Sequence, residues 1–200
     1  SSKLTDFYSC IGDNDLEQAD AVQAYVQATL EGHETWVHLP DECLDLIQTD
    51  PGYAYLRSRF FYSDGSKKVQ RPCVKLIRAL YGHPVAGSCW ERHCDKRMIA
   101  QGFAPITNWP SMYFHKRLRL LLMIYVDDFK LAGPKANLAK GWALIKEEID
   151  IEPPAGPGLF LGCVHRQFTQ ILPNGNKISG IEYDNSAYFR DKFEKYLGLM

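Results

Sequence analysis

Tyr125-Val126-Asp127-Asp128 sets two adjacent carboxylates directly after the apolar run Leu120–Val126 and ahead of a second strand-like run, Phe129-Lys130-Leu131-Ala132-Gly133. A two-residue hairpin connection usually takes Asn-Gly, Asp-Gly or another glycine pair, because those turns need positive φ. Neighbouring aspartates also repel unless a cation lies between them. The pattern therefore points to a divalent metal at a hairpin tip, with a solvated Asp-Asp turn as the competing reading. A third carboxylate in a comparable setting would separate the two. Asp20 is such a residue: it stands where an extended stretch gives way to a short helix with Val22, Tyr25, Val26 and Leu30 on one face. Taken by itself, Asp20 serves equally well as an N-cap.

The ordered set of motifs resembles a known family. Asp20-Ala-Val-Gln-Ala24-Tyr25, followed far downstream by Tyr125-Val-Asp-Asp128, is similar to the catalytic motifs of reverse transcriptases. Between them, Leu76-Ile-Arg78-Ala-Leu80-Tyr81-Gly82 with Ala86 and Trp90 resembles the Leu-Tyr-Gly motif of Copia-type LTR retrotransposons. Glu34-Thr35-Trp36-Val37-His38-Leu39-Pro40 fits the short strand after the first aspartate, and Phe160-Leu161-Gly162 fits the primer-grip strand. The resemblance covers nearly the whole chain. It departs at His83-Pro84-Val85-Ala86-Gly87, where the family reads Leu-Lys-Gln-Ala-Pro.

What the resemblance implies is an RNA-directed DNA polymerase that extends a primer with deoxynucleotides on an RNA or DNA template. Joining a 3′-hydroxyl to an α-phosphate places charge on both the attacking and the leaving oxygen, which suits two metal ions about 3.5–4 Å apart. Magnesium takes oxygen ligands, typically one or two carboxylates plus substrate phosphates. By the resemblance, Asp20, Asp127 and Asp128 are catalytic; Asp20 and Asp127 bridge two Mg²⁺ (Mn²⁺ as the alternative), Asp128 supports one ion, and the Ala21 carbonyl completes the set. Tyr25, Tyr81 and Gly82 would line the nucleotide pocket, with the Tyr25 ring excluding a 2′-hydroxyl; as plain packing, Tyr25 is a core residue beside Val22 and Val26. Tyr125, Val126, Leu161 and Gly162 would meet the primer. Template-primer, dNTPs and the remainder of a Pol polyprotein, with RNase H and integrase, are the implied partners.

The elements that must position these residues can be read from periodicity and breakers. The expected order is a strand at 15–20, a short helix at 21–30, a strand at 34–39, and a loop or helical turn through Pro51-Gly52. A hairpin follows, turning at Ser63-Asp64-Gly65-Ser66, with a later strand at 73–76. A helix at 84–101 has Trp90, Cys94 and Met98 at spacing four and ends at Gly102. Strands are expected at 111–115, 118–126 and 129–132 around an Asp127-Asp128 turn, then a helix at 134–148 that breaks at Pro153–Gly158. Strands at 159–166 and 177–182 flank Pro173-Asn174-Gly175-Asn176, and a final helix from Ser186 carries Tyr188, Phe189, Phe193 and Tyr196 on one face. The fold class is α+β: an antiparallel sheet with helices on one face, the polymerase palm of the resemblance, with partial fingers and the start of a thumb. Residues 1–183 form the palm with partial fingers, and 184–200 begin the thumb.

The formal net charge of -1 looks unsuited to a nucleic-acid partner, but its distribution is uneven. Asp13 to Asp50 contains no Lys or Arg, whereas Arg57, Arg59, Lys67, Lys68, Arg71, Lys75 and Arg78 are answered only by Asp64. This basic stretch is interleaved with Tyr53, Tyr55, Phe60, Phe61 and Tyr62, a composition suited to phosphates and stacked bases, although a solvated hairpin face has the same look. The six cysteines show no CxxC pair and read as reduced thiols in an intracellular protein, cytoplasmic or nuclear; Cys89, His93 and Cys94 hint at zinc but sit at spacings that serve a core equally. No apolar run reaches the roughly 18 residues of a membrane span, and no membrane partner is expected. A chain opening on Ser1, with its first motif nearby, is expected to be a piece of a longer polyprotein. A nucleic-acid binder without catalysis, derived from such an element, is the alternative function; a palm-fold nucleotidyl cyclase is a more distant one.

Overall fold

In the computed structural model, residues 2–199 are described. In chain order the elements are α1 (Ser2–Ser9), β1 (Asn14–Asp20), α2 (Ala24–Gln27), β2 (Trp36–His38), α3 (Asp41–Thr49), α4 (Ala54–Phe60), β3 (Cys73–Lys75), α5 (Ala86–Ala100), β4 (Ala104–Pro105), β5 (Met112–His115), β6 (Leu120–Tyr125), β7 (Asp128–Pro134), α6 (Lys135–Lys146), β8 (Leu159–Phe160), β9 (Cys163–Ile171), β10 (Lys177–Asp184) and α7 (Ser186–Leu197). The class is α+β, with every strand pair antiparallel.

The principal sheet runs β1-β7-β6-β5-β4. Its centre is covered on both faces, which explains why β6 reads as an unbroken apolar run rather than an alternation. Leu120, Leu122 and Ile124 join Phe129 and Leu131 in a core closed by Trp90, Cys94 and Met98 of α5 and by Leu138, Trp142 and Ile145 of α6. On the opposite face Leu121 and Met123 pack with Met112 and Phe160, flanked by Tyr8 of α1. Helix α6 lies close enough that a Cβ on Gly141 would come within 2.4 Å of Leu120 Cδ1, so glycine sets this helix-to-sheet distance. Helix α5 ends in a Schellman arrangement: Phe103 N–H donates to the Met98 carbonyl and Gly102 N–H to that of Ile99, with Gly102 at φ 84°.

Several expected elements take other forms. The helix expected at 21–30 shrinks to α2, because Gln23 sits at φ 50° and residues from Ala28 onward are drawn out to pair with the 77–79 segment. Ala24 and Ala28 fill the core there, while Val22 is exposed. The arm that leads into the hairpin turn expected at 63–66 is helical, as α4. Leu56 and Phe60, four apart, pack with Leu39 against Leu44, Ile47 and Phe61, a packing that outweighs the strand-like aromatic alternation. The turn at 63–66 does form, with Asp64 Oδ1 accepting from Ser66 N–H at 2.9 Å. The strand expected at 159–166 is folded back on itself: Phe160 pairs with Cys163 across a two-residue loop, Leu161 at φ 49° and Gly162 at φ 78°. Helices α1 and α3 carried no recognised sequence signal. Among the described residues, no helix is long and apolar enough to cross a membrane.

Candidate metal centre

Asp20 is the last residue of β1 and Asp128 the first of β7, and the two are directly paired. Opposed residues of an antiparallel pair project to the same face with Cβ atoms about 4.5–5.5 Å apart. Asp20 is not an N-cap, since α2 begins after Gln23 with no side-chain cap. Asp127 lies in the loop, because Tyr125 pairs with Asp128 and the two-residue connection is Val126-Asp127 rather than Asp127-Asp128. Val126 adopts φ 56°, a region that costs a β-branched residue about 1–3 kcal/mol. Two bonds hold it there: Trp90 Nε1–H donates to the Val126 carbonyl at 2.5 Å, and Ala21 N–H donates to the Asp127 carbonyl at 2.7 Å. Among the described residues, the reciprocal backbone bond from Asp127 N–H to the Ala21 carbonyl is not made.

The site is electrostatically crowded. Burial, then the charges of Asp20 and Asp127 and a hydrogen bond with Asp20, push the Asp128 carboxyl up to about 6, with Lys130 opposing. Mutual repulsion of this kind is what a bound cation relieves, and an all-oxygen donor set suits a hard ion. Among the described residues no three His, Cys, Asp or Glu side chains are already drawn together as a closed ligand group. The arrangement is a carboxylate pair with a third carboxylate in the adjoining strained loop. Such a donor set fits magnesium, with substrate oxygens completing the shell.

A cavity of about 350 Å³ adjoins the loop, lined by Tyr25, Gly87, Trp90, Tyr113, Tyr125 and Val126 among others. Tyr25 stacks on Tyr81, ring centroids 4.4 Å apart at 35°, so the two predicted nucleotide residues meet. Gly82 has φ 87° with open space where a Cβ would stand. In the stretch that departs from the resemblance, His83 is held by Thr35 at 3.0 Å. Tyr125 and Val126 are exposed at the hairpin tip, and Leu161 is exposed at the tip of the β8–β9 hairpin beside Gly162.

The basic stretch divides sharply. Lys67 pairs with Asp41 at 2.7 Å and Lys75 pairs with Glu34, so acids of the 13–50 section neutralise both. Arg57 donates to the carbonyls of Ile47 and Asp50 at the end of α3, Arg78 to that of Gln27, and Lys68 to that of Ser58. Among the described residues, Arg59 and Arg71 have no such partner. Two of the seven cations thus pair with acids of the 13–50 section and three more are held by backbone carbonyls, a division the sequence did not disclose.

Lys130, two residues beyond Asp128 on the same face, is fully buried. Its ammonium bonds to Asp6 Oδ1 at 2.7 Å, Ser2 Oγ at 3.0 Å and His165 Nδ1 at 2.9 Å, and it lies 4.1 Å from the Phe160 ring centroid. Tyr183 O–H donates to the other Asp6 oxygen at 2.8 Å. Burial lowers the pKa of both Lys130 and His165. This network ties α1, β9 and β10 to the strand bearing Asp128. A lysine inside the apolar run Phe129–Ala132 was its only sequence signal. Elsewhere, Cys89 and Cys94 are core residues and His93 stacks on Trp90; burial pushes the Cys94 thiol up.

Compared with family models, curated proteins and solved structures, the chain matches none.

Proposed function

We propose that the chain is the reverse transcriptase domain of a Copia-type retroelement, an RNA-directed DNA polymerase. The observation that carries this reading is the register pairing of Asp20 with Asp128, with Asp127 in the adjoining loop. On this reading the five-stranded sheet with α5 and α6 is the palm, the 36–78 region belongs to the fingers, and residues from 184 begin a thumb. The partners are template-primer, dNTPs and the RNase H and integrase portions of a polyprotein, in a cytoplasmic particle or the nucleus.

Asp20, Asp127, Asp128 and the Ala21 carbonyl would hold two Mg²⁺. When bound, these ions supply charge stabilisation to the oxygens of an in-line phosphoryl transfer. The chain's own work is positioning. The β1–β7 register fixes two carboxylates, and the strained loop presents the third. The Tyr25–Tyr81 stack keeps the Tyr25 ring in one place, where it selects against a 2′-hydroxyl.

The test is primer extension on poly(rA)/oligo(dT) with Mg²⁺, comparing the chain with Asp127→Asn and Asp20→Asn. Metal-dependent extension lost in both variants supports the proposal. Template retained on a filter with no extension by the parent overturns it in favour of the binding-only alternative.

A further inference from the structure

Cys73 and His38 are directly opposed on β3 and β2, away from the carboxylate centre and from any role assigned above. Both are exposed, and Cys73 Sγ lies 3.1 Å from His38 Nδ1, close enough for the ring nitrogen to take the thiol proton. Beside them is a mainly apolar cavity of about 450 Å³, with Trp36, Leu56, Phe60, Cys73 and Arg59 in its wall. Arg59 has no acidic partner among the described residues, whereas Lys75 in the same wall is neutralised by Glu34. Of the other cysteines, Cys89 and Cys94 are buried, Cys10 and Cys163 are half-buried, and Cys43 is exposed as Cys73 is.

We infer that Cys73 is a nucleophilic thiol, activated by His38, whose partner is a small anionic disulfide with an apolar body. The thiol passes its proton to His38, and the resulting thiolate attacks one sulfur of the disulfide. A new bond forms from Cys73 Sγ to that sulfur as the original S–S bond breaks. The departing thiolate recovers the proton from the His38 ring. Cys73 is oxidised to a mixed disulfide, and the second half of the reagent is reduced to a thiol. The apolar wall accommodates the body of the reagent, and the Arg59 guanidinium meets its carboxylate.

The full chain is treated at neutral pH with a limiting amount of the dicarboxylated aryl disulfide dithiobis-nitrobenzoate. Released thiolate is followed by absorbance, and the labelled cysteine is identified by peptide mass spectrometry. Cys73, with the His38 ring nitrogen at its sulfur, is expected to react about 10-fold or more faster than the exposed Cys43. His38→Gln removes that advantage, with an unchanged circular dichroism spectrum showing that the variant is folded. Arg59→Gln slows the dicarboxylate several-fold and leaves the neutral hydroxyethyl disulfide unaffected. Labelling of Cys73 no faster than Cys43, or an advantage that survives His38→Gln, overturns the activated thiol. An Arg59→Gln variant that treats both reagents alike overturns the anionic partner.

Discussion

Asp20 and Asp128 face each other across β1 and β7, two carboxylates brought together by antiparallel register from positions more than half the chain apart. Burial first, and then the charges of Asp20 and Asp127, raise the Asp128 carboxyl to about 6, above the roughly 3.9 of a free aspartate. A carboxyl whose folded pKa is raised stabilises the fold fully only below the unfolded value, and that contribution is lost as pH rises through the folded one. The metal-free chain should therefore lose thermal stability between about pH 4 and about 6.5, and Asp128→Asn should flatten that slope. Melting curves in metal-free buffer across this window check it. At neutral pH, added Mg²⁺ should raise the melting temperature of the parent and not that of Asp128→Asn, since the ion relieves the repulsion that the amide abolishes.

Tyr25 rests against Tyr81 with 4.4 Å between ring centroids. Tyr25→Ala should open the space for a 2′-hydroxyl and raise ribonucleotide use by about 10-fold or more, equivalent to about 1.4 kcal/mol in the transition state. Tyr81→Ala, which removes the ring packed against Tyr25 but leaves Tyr25 in place, should raise it less. Paired dNTP and rNTP incorporation assays give both ratios. Unchanged sugar selectivity in Tyr25→Ala would remove the assignment.

Lys130 and Asp6 form an ion pair that is 0% and 1% exposed at its side chains. Removing one partner leaves a buried charge unmatched, so Lys130→Met or Asp6→Asn should each cost about 3–5 kcal/mol. The double variant should cost less than the sum of the two, because neither charge is then stranded. Urea unfolding of the four proteins closes the cycle; additive costs would show that the pair is not the coupling element.

Arg59 and Arg71 are the cations of the basic stretch without an internal partner among the described residues. Replacing either with Gln should weaken template binding and reduce the slope of log affinity against log salt by about 0.7–0.9 for each phosphate that is no longer neutralised. Lys67→Gln and Lys75→Gln, whose charges are paired with Asp41 and Glu34, should leave that slope nearly unchanged. Titrations at several salt concentrations distinguish the two classes.

The sequence by itself determined the elements that local pattern controls. The apolar run at Leu120–Ile124 marked the central strand, spacing four through Trp90, Cys94 and Met98 marked α5 with its Gly102 stop, and Asp20 and Asp127-Asp128 stood out at element ends. Periodicity and breaker residues act over a few positions, so they survive reading one stretch at a time. It failed where packing overrode the local signal: α4 replaced the aromatic-rich hairpin arm, and Leu161-Gly162 folded one expected strand into two. Only the tertiary structure decided that Asp20 opposes Asp128, that Val126 and Asp127 form the loop, and that Lys67 and Lys75 are spent on Asp41 and Glu34. It alone placed Lys130 on Asp6, 124 positions away. These outcomes rest on register, burial and ion pairing between distant segments, which no local pattern encodes. The paired carboxylates were legible as residues; their meeting was a property of the folded sheet.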